Sequence, residues 1–257
     1  HPQSDFLAAA QVGGIKANAE NPLKFFLNNM AIETNIFTNA SEYGVKKLVF
    51  LGSSCIYPRL CPQPIKEEYL LTGPIEPTTE PYALAKICGV RLCEWYQTEY
   101  GENFVSAMPC NLFGPRDNFD EHNAHVIPGM MARMHRAKTE GAPTFEVWGD
   151  GCAMREFLFS HDLAKALLVV MDKYDAPAGP INTGSGLELT IRDLAHMMKA
   201  VVGYDGELIF NSAQPTGTPR KILDNSKIAA LGWTPQIPFF DALKITYEWF
   251  RLNGNHR

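Results

Sequence analysis

Tyr82 and Lys86 stand four residues apart in a segment that reads as helix, so both side chains lie on one helix face. Ser53 follows the apolar run Lys47-Leu48-Val49-Phe50-Leu51, which reads as a strand. In open α/β sheets, ligands bind beyond the carboxyl ends of strands. A serine hydroxyl, a phenol and an ammonium that converge there make a proton-transfer site. The lysine charge is expected to favour tyrosinate and to bring the phenol down from about 10 toward the working range. The serine can hydrogen-bond a substrate carbonyl and polarise it. A Tyr-x-x-x-Lys spacing alone also describes many solvated helix faces; the strand-end serine upstream is what points it to chemistry.

The elements that must position these residues alternate between strand and helix. Phe6–Ala10 reads as a buried strand. A helix follows from Asn21-Pro22 to about Tyr43, with proline in its first turn and Gly44 at its end. After Gly52-Ser53-Ser54-Cys55 comes a proline-rich loop from Pro58 to Pro81, and loops of that length are commonly functional. A helix over Tyr82–Tyr100 and a strand over Phe104–Met108 complete the first part, and Asn111-Leu112-Phe113-Gly114-Pro115 reads as a turn. Beyond it the spacing predicts a helix over Ile127–Lys138 and a strand over Phe145–Trp148. Phe157–Phe159 reads as extended, and a helix from Ser160 to Lys173 follows it. Further on come a strand at Ile181-Asn182, a helix capped by Thr190, a strand over Glu207–Phe210 and a last helix over Phe240–Leu252. This alternation implies an α/β fold with a doubly wound, parallel, Rossmann-like sheet and a smaller α/β substrate-binding portion. Residues 1–115 with parts of 150–185 are expected to form the dinucleotide-binding domain; 116–150 and 186–257 are expected to form mainly the substrate-binding portion.

Composition sets the outer limits. With 46% hydrophobic and 20% charged residues, a chain of 257 residues can build its own core. A net charge of −5 argues against a nucleic-acid partner, which would call for a basic face. No apolar run reaches the ~18 residues of a membrane span. The six cysteines include no Cys-x-x-Cys pair, so no metal site is expected and reduced thiols in a cytoplasmic protein are. No Gly-x-Gly-x-x-Gly occurs, although Gly13-Gly14 follows a strand.

Several motifs in order resemble the GDP-L-fucose synthase family, within the extended short-chain dehydrogenase/reductases that modify nucleotide sugars. They are Ala8-Ala9-Ala10-Gln11-Val12-Gly13-Gly14-Ile15, Gly52-Ser53-Ser54-Cys55-Ile56-Tyr57-Pro58, Pro81-Tyr82-Ala83-Leu84-Ala85-Lys86, Asn111-Leu112-Phe113-Gly114-Pro115-Arg116-Asp117-Asn118-Phe119, His125-Val126-Ile127-Pro128, and Trp148-Gly149 through Met154-Arg155-Glu156-Phe157. The resemblance implies epimerisation of GDP-4-keto-6-deoxy-D-mannose at carbons 3 and 5, then reduction at carbon 4 by NADPH. It implies Cys55 as base and His125 as acid, with Tyr82, Ser53 and Lys86 serving the carbon-4 oxygen. Leu51, Gly52, Ser53, Ser54, Tyr82, Lys86 and His125 would meet NADP(H), as would Pro109, Cys110, Asn111 and Leu112. Arg133, Trp148, Arg155 and Lys221 match substrate-binding positions, where guanidinium forks suit a diphosphate. A homodimer through the two long helices is implied too. Phe6–Ala10 resembles the family's fourth strand, so on the order of 50 residues bearing the glycine-rich turn are expected to be absent, and cofactor binding and activity are expected to be weak.

Other readings compete. Cys88, Cys93 and Cys110 read as inert thiols, His122 and His135 as surface residues, and Phe25, Phe26 and Phe37 as packing. A 4,6-dehydratase would carry an acidic pair where Ser54-Cys55 stands, and a simple 4-epimerase a small apolar residue at Cys55. A non-catalytic protein on the same fold is the alternative of another class.

Overall fold

A computed structural model describes residues 3–13, 18, 20–121, 124–213 and 218–254. His122, together with Gly14 and Ile15 of the first motif, lies outside the described residues. The chain divides into two compact units: residues 1–110, 163–185 and 223–234, and residues 111–162, 186–222 and 235–257. The first break falls at Cys110, just past a strand, rather than at 115. Residues 223–234 return to the first unit, where Leu223 bridges Ile65.

In the first unit four strands form a wholly parallel sheet in the order β1-β2-β3-β7: β1 (Ser4–Leu7), β2 (Lys47–Leu51), β3 (Asn103–Pro109) and β7 (Ile181–Thr183). Parallel neighbours need crossovers, and the helices α1 (Pro22–Glu42) and α2 (Glu80–Tyr100) supply the first two. Pro22 opens α1, and Gly44 (φ 66°) lies just past its end. Gly101 ends α2 in the left-handed region, a conformation glycine adopts without steric cost. β1 begins and ends earlier than the sequence suggests. Its ladder with β2 runs from Ser4↔Lys47 to Leu7↔Phe50, and the Ala8 amide then turns back to the Phe6 carbonyl (3.2 Å). Phe37 of α1, fully buried, holds the core of this unit, its ring within 6.0 Å of those of Phe50, Tyr96 and Phe104. Phe25 is buried as well.

The second unit has a four-stranded sheet and a two-stranded one. β4 (Asn111–Phe113), β6 (Met154–Phe159) and β10 (Arg220–Lys221) lie in the order β10-β6-β4, and β8 (Glu188–Thr190) pairs antiparallel with β6. β5 (Thr144–Trp148) pairs in parallel with β9 (Glu207–Asn211). Sequence pattern reads β4 as a turn because three residues are too few to show a period; its ladder with β6 (Asn111↔Phe157 to Phe113↔Phe159) makes it a strand. Helices α3 (Val126–Thr139), α5 (Ile191–Val202) and α7 (Phe239–Asn253) bury one apolar cluster that includes Met131, Met134, Leu194, Met198, Leu243 and Phe250. Thr190 caps α5 by accepting the Asp193 amide (3.0 Å). Helix α4 (Ser160–Lys173) passes from the second unit into the first, which also holds the short α6 (Ser226–Ala230). No helix among the described residues is long and apolar enough to cross a membrane.

Truncating the aromatic at the centre of the first unit, Phe37→Ala, is expected to cost about 3–5 kcal/mol. Chemical denaturation of parent and variant measures it; a loss under about 1 kcal/mol would place the core elsewhere.

Candidate active site

The carboxyl end of β2 is held close to its neighbour. A Cβ on Gly52 would come within 2.5 Å of the Met108 sulfur, so glycine lets the chain leave β2 tight against β3. Ser53 is extended, and its hydroxyl accepts the Cys55 amide (3.2 Å) as the cap of a short 3-10 turn, Ser54–Ile56. That turn leaves the Cys55 thiol half-buried. Tyr57, buried just beyond, anchors it: its hydroxyl donates to the Asn182 side-chain oxygen (2.7 Å). Asn182 in turn donates to the carbonyls of Ile65 (2.9 Å) and Asp224 (3.1 Å), and its amide donates to Glu67 (2.9 Å). The proline-rich loop is thus tied to β7.

The first turns of α2 bring Tyr82 and Lys86 to this place. The hydroxyls of Tyr82 and Ser53 hydrogen-bond, and Cys55 is near enough to act on the phenol electrostatically. The phenol is not brought down. Burial raises it above its ordinary value, a negative charge on Cys55 adds to the rise, and the Ser53 hydrogen bond offsets only part of it. This corrects the expectation that Lys86 would bring Tyr82 down. The Lys86 Nζ is 6.0 Å from the Tyr82 ring centre but 3.2 Å from the Glu33 carboxylate of α1, and it sits 4.5 Å over the Phe50 ring. Its positive charge is largely answered by Glu33. Both partners are sealed in, Lys86 at 2% exposure and Glu33 at 0%. Burial pushes the ammonium down and the carboxyl up to about 7, each opposed by the other.

The second unit carries the other expected residues. His125 is exposed and precedes α3; its carbonyl accepts the Gly129 amide (2.9 Å). Asp117 lies within its electrostatic reach; burial raises that carboxyl and His125 pulls it back. The Arg133 guanidinium lies 5.2 Å from the Phe145 ring and 5.1 Å from that of Trp148, whose indole is 56% exposed. The parallel pairing of β10 with β6 sets Lys221 opposite Arg155, so two cationic side chains share one strand register. Asn111 and Leu112 open β4, and the Asn111 side-chain Nδ2 donates to the Glu156 carbonyl (3.0 Å). Pro109 closes β3 and Cys110 follows it in the first unit. Among the described residues no group of three or more His, Cys, Asp or Glu side chains could hold a metal ion. The six cysteines form no disulfide.

Three residues matter here that sequence pattern does not single out. Glu33 looks like any charged helix residue, and Asn182 like any polar residue of a short strand. Thr183, fully buried at the end of β7 opposite Pro109, has a hydroxyl with no hydrogen-bond partner among the described residues. A polar atom left over at the carboxyl edge of a parallel sheet suits a bound polar ligand.

A parallel sheet with a Ser-Tyr-Lys group at its carboxyl edge is the arrangement of a nucleotide-dependent oxidoreductase or epimerase. Residues 1–184 match the NAD dependent epimerase/dehydratase family, and the chain belongs to it. Its sequence places it with the GDP-L-fucose synthases of that family. It is similar to GDP-L-fucose synthase 1 of Arabidopsis thaliana, with 51% identity over 98% of this chain and 77% of that protein. It is similar to GDP-L-fucose synthase of Escherichia coli K12, with 48% identity over 96% of this chain and 80% of that one. A crystal structure of a GDP-L-fucose synthetase from Naegleria fowleri bound to NADP superposes with a TM-score of 0.91 at 34% identity, covering 99% of this chain and 78% of that one.

Removing the Tyr57 hydroxyl leaves the buried Asn182 oxygen without this donor. Tyr57→Phe is therefore expected to cost about 1–3 kcal/mol in urea denaturation; a neutral variant would show that water replaces the phenol.

Proposed function

We propose that the chain converts GDP-4-keto-6-deoxy-D-mannose to GDP-L-fucose, by 3,5-epimerisation followed by NADPH-dependent 4-reduction. The observation that carries this reading is the meeting of Ser53, Cys55 and Tyr82 at the end of β2, on a chain about half identical to GDP-L-fucose synthases. A ketone at carbon 4 acidifies the protons on both neighbouring carbons, so one base and one acid serve both. Cys55 takes the proton as base and His125 returns one as acid. Tyr82 and Ser53 hydrogen-bond the carbon-4 oxygen and stabilise the enolate. A phenol kept protonated by burial is suited to donating its proton to that oxygen when the carbonyl is reduced.

NADP(H) fits this donor set, because reducing a ketone calls for a hydride source and a proton donor side by side. When bound, NADPH supplies the hydride. Leu51–Ser54, Tyr82, Lys86 and Pro109–Leu112 would hold its nicotinamide end, and the family resemblance assigns His125 to the cofactor as well. Arg133, Arg155 and Lys221 would hold the substrate diphosphate, and Trp148 offers its exposed indole to the nucleotide. The first unit would serve the cofactor and the second the substrate.

A homodimer in the cytoplasm completes the proposal. Leu23, Leu27, Trp95 and Tyr100 leave large apolar side chains exposed on α1 and α2, which suits a contact between copies. Cysteines without a disulfide suit the compartment. Sedimentation as a monomer, or fractionation into a secreted pool, would overturn these two placements.

The test is to incubate the protein with GDP-4-keto-6-deoxy-D-mannose in deuterated water, with and without NADPH, and follow the sugar by NMR. Cys55→Ser is expected to abolish deuterium entry at carbons 3 and 5. Tyr82→Phe is expected to slow NADPH oxidation by about 10²–10⁴-fold. Exchange or oxidation at the parent's rate would remove the corresponding role, and a product other than GDP-L-fucose would replace the substrate assignment with that of another nucleotide-sugar enzyme.

A further inference from the structure

Glu33 is fully buried and acts electrostatically on Tyr82 without hydrogen-bonding it. It reaches Lys86 from the neighbouring helix at 3.2 Å, and neither of its oxygens has another hydrogen-bond partner among the described residues. The space it occupies is made by Gly89: a Cβ there would stand 2.3 Å from the Phe50 ring and 3.0 Å from the Glu33 carboxylate. The groups around the carboxylate are Lys86, Tyr82, Cys88 and Cys93 of α2 and the Phe50 ring of β2. Among them Lys86 is the single cation.

We propose that Glu33 is a positioning residue of the active site: its carboxylate fixes the Lys86 ammonium over the Phe50 ring and so sets the pH range in which Tyr82 serves as proton donor. The inference rests on reading Tyr82 as that donor. A buried ammonium without a counter-charge gives up its proton rather than stay ionised. Glu33 opposes this, and its negative charge also makes proton loss from Tyr82 less favourable. Proton loss from either group ends catalysis on the alkaline side, and Glu33 delays both. On the acid side the carboxyl takes up its own proton near about pH 7, and the influence fades.

The test is the pH profile of NADPH oxidation by the full chain. In Glu33→Gln the alkaline limb is expected to move to lower pH by about one unit or more, with rates approaching the parent's near about pH 6. Glu33→Asp, which keeps the charge, is expected to return the limb part of the way. A limb that stays in place, or a loss of equal size at every pH, would overturn the proposal. Thermal unfolding gives a readout independent of turnover. Lys86→Met strands the carboxylate and removes the cation that held it down, so its melting temperature is expected to fall as pH rises from the ordinary carboxylate range through about 7 and beyond, while Glu33→Gln with Lys86→Met loses that slope. Equal slopes in the two variants would overturn the pairing. Tyr82→Phe separates the two ideas: hydride transfer surviving in it removes the reading of the site, whereas its loss beside an unmoved Glu33→Gln profile removes only the role of Glu33.

Discussion

A lysine ammonium at 2% exposure persists as a charge only because a carboxylate stands 3.2 Å away. Desolvation of either ion alone costs several kcal/mol, so each is held in place by the other. The demand reaches far into the first unit. It requires α1 and α2 to pack with Glu33 against Lys86, Gly89 to leave room for both Phe50 and the carboxylate, and β2 to hold the Phe50 ring below the ammonium. The phenol one turn earlier on α2 then meets Ser53 with its proton retained. The electrostatics of the site follow from the packing of two helices on a sheet.

The other half of the design is the carboxyl edge of that sheet. Four parallel strands end on one side, and that edge carries Ser53 and Cys55 after β2, Pro109 at the end of β3 with Cys110 after it, and Thr183 at the end of β7. The loop after β2 is long and irregular, yet Tyr57, Asn182 and Glu67 satisfy its buried polar groups and tie it to β7. The position of the Cys55 thiol therefore depends on buried hydrogen bonds rather than on loop entropy. The second unit arranges cations by other means, with Arg133 held near two aromatic rings and Lys221 paired in register with Arg155.

Much of this was legible beforehand. The helices with Pro22 and Gly44 at their ends follow from capping chemistry, and β2 and β3 from apolar runs between breakers. The family motifs were readable because they are local strings. The short strands were not. β4, β8 and β10 have three, three and two residues, and pairing with β6 defines them rather than any period of their own. The division between the units was only partly visible, because residues 223–234 rejoin the first unit through contacts distant in sequence.

The sequence by itself determined which groups are available for proton transfer, and that Tyr82 and Lys86 share a helix face, because a four-residue spacing in a helix is a local fact. It also determined the family. The tertiary structure alone decided what those groups experience. Lys86 answers to Glu33 rather than to Tyr82, and the phenol is raised rather than lowered, because burial and distance set a side chain's proton affinity. Both depend on which helix packs against which, and Glu33 has no mark in the sequence to distinguish it from a glutamate on a solvated face.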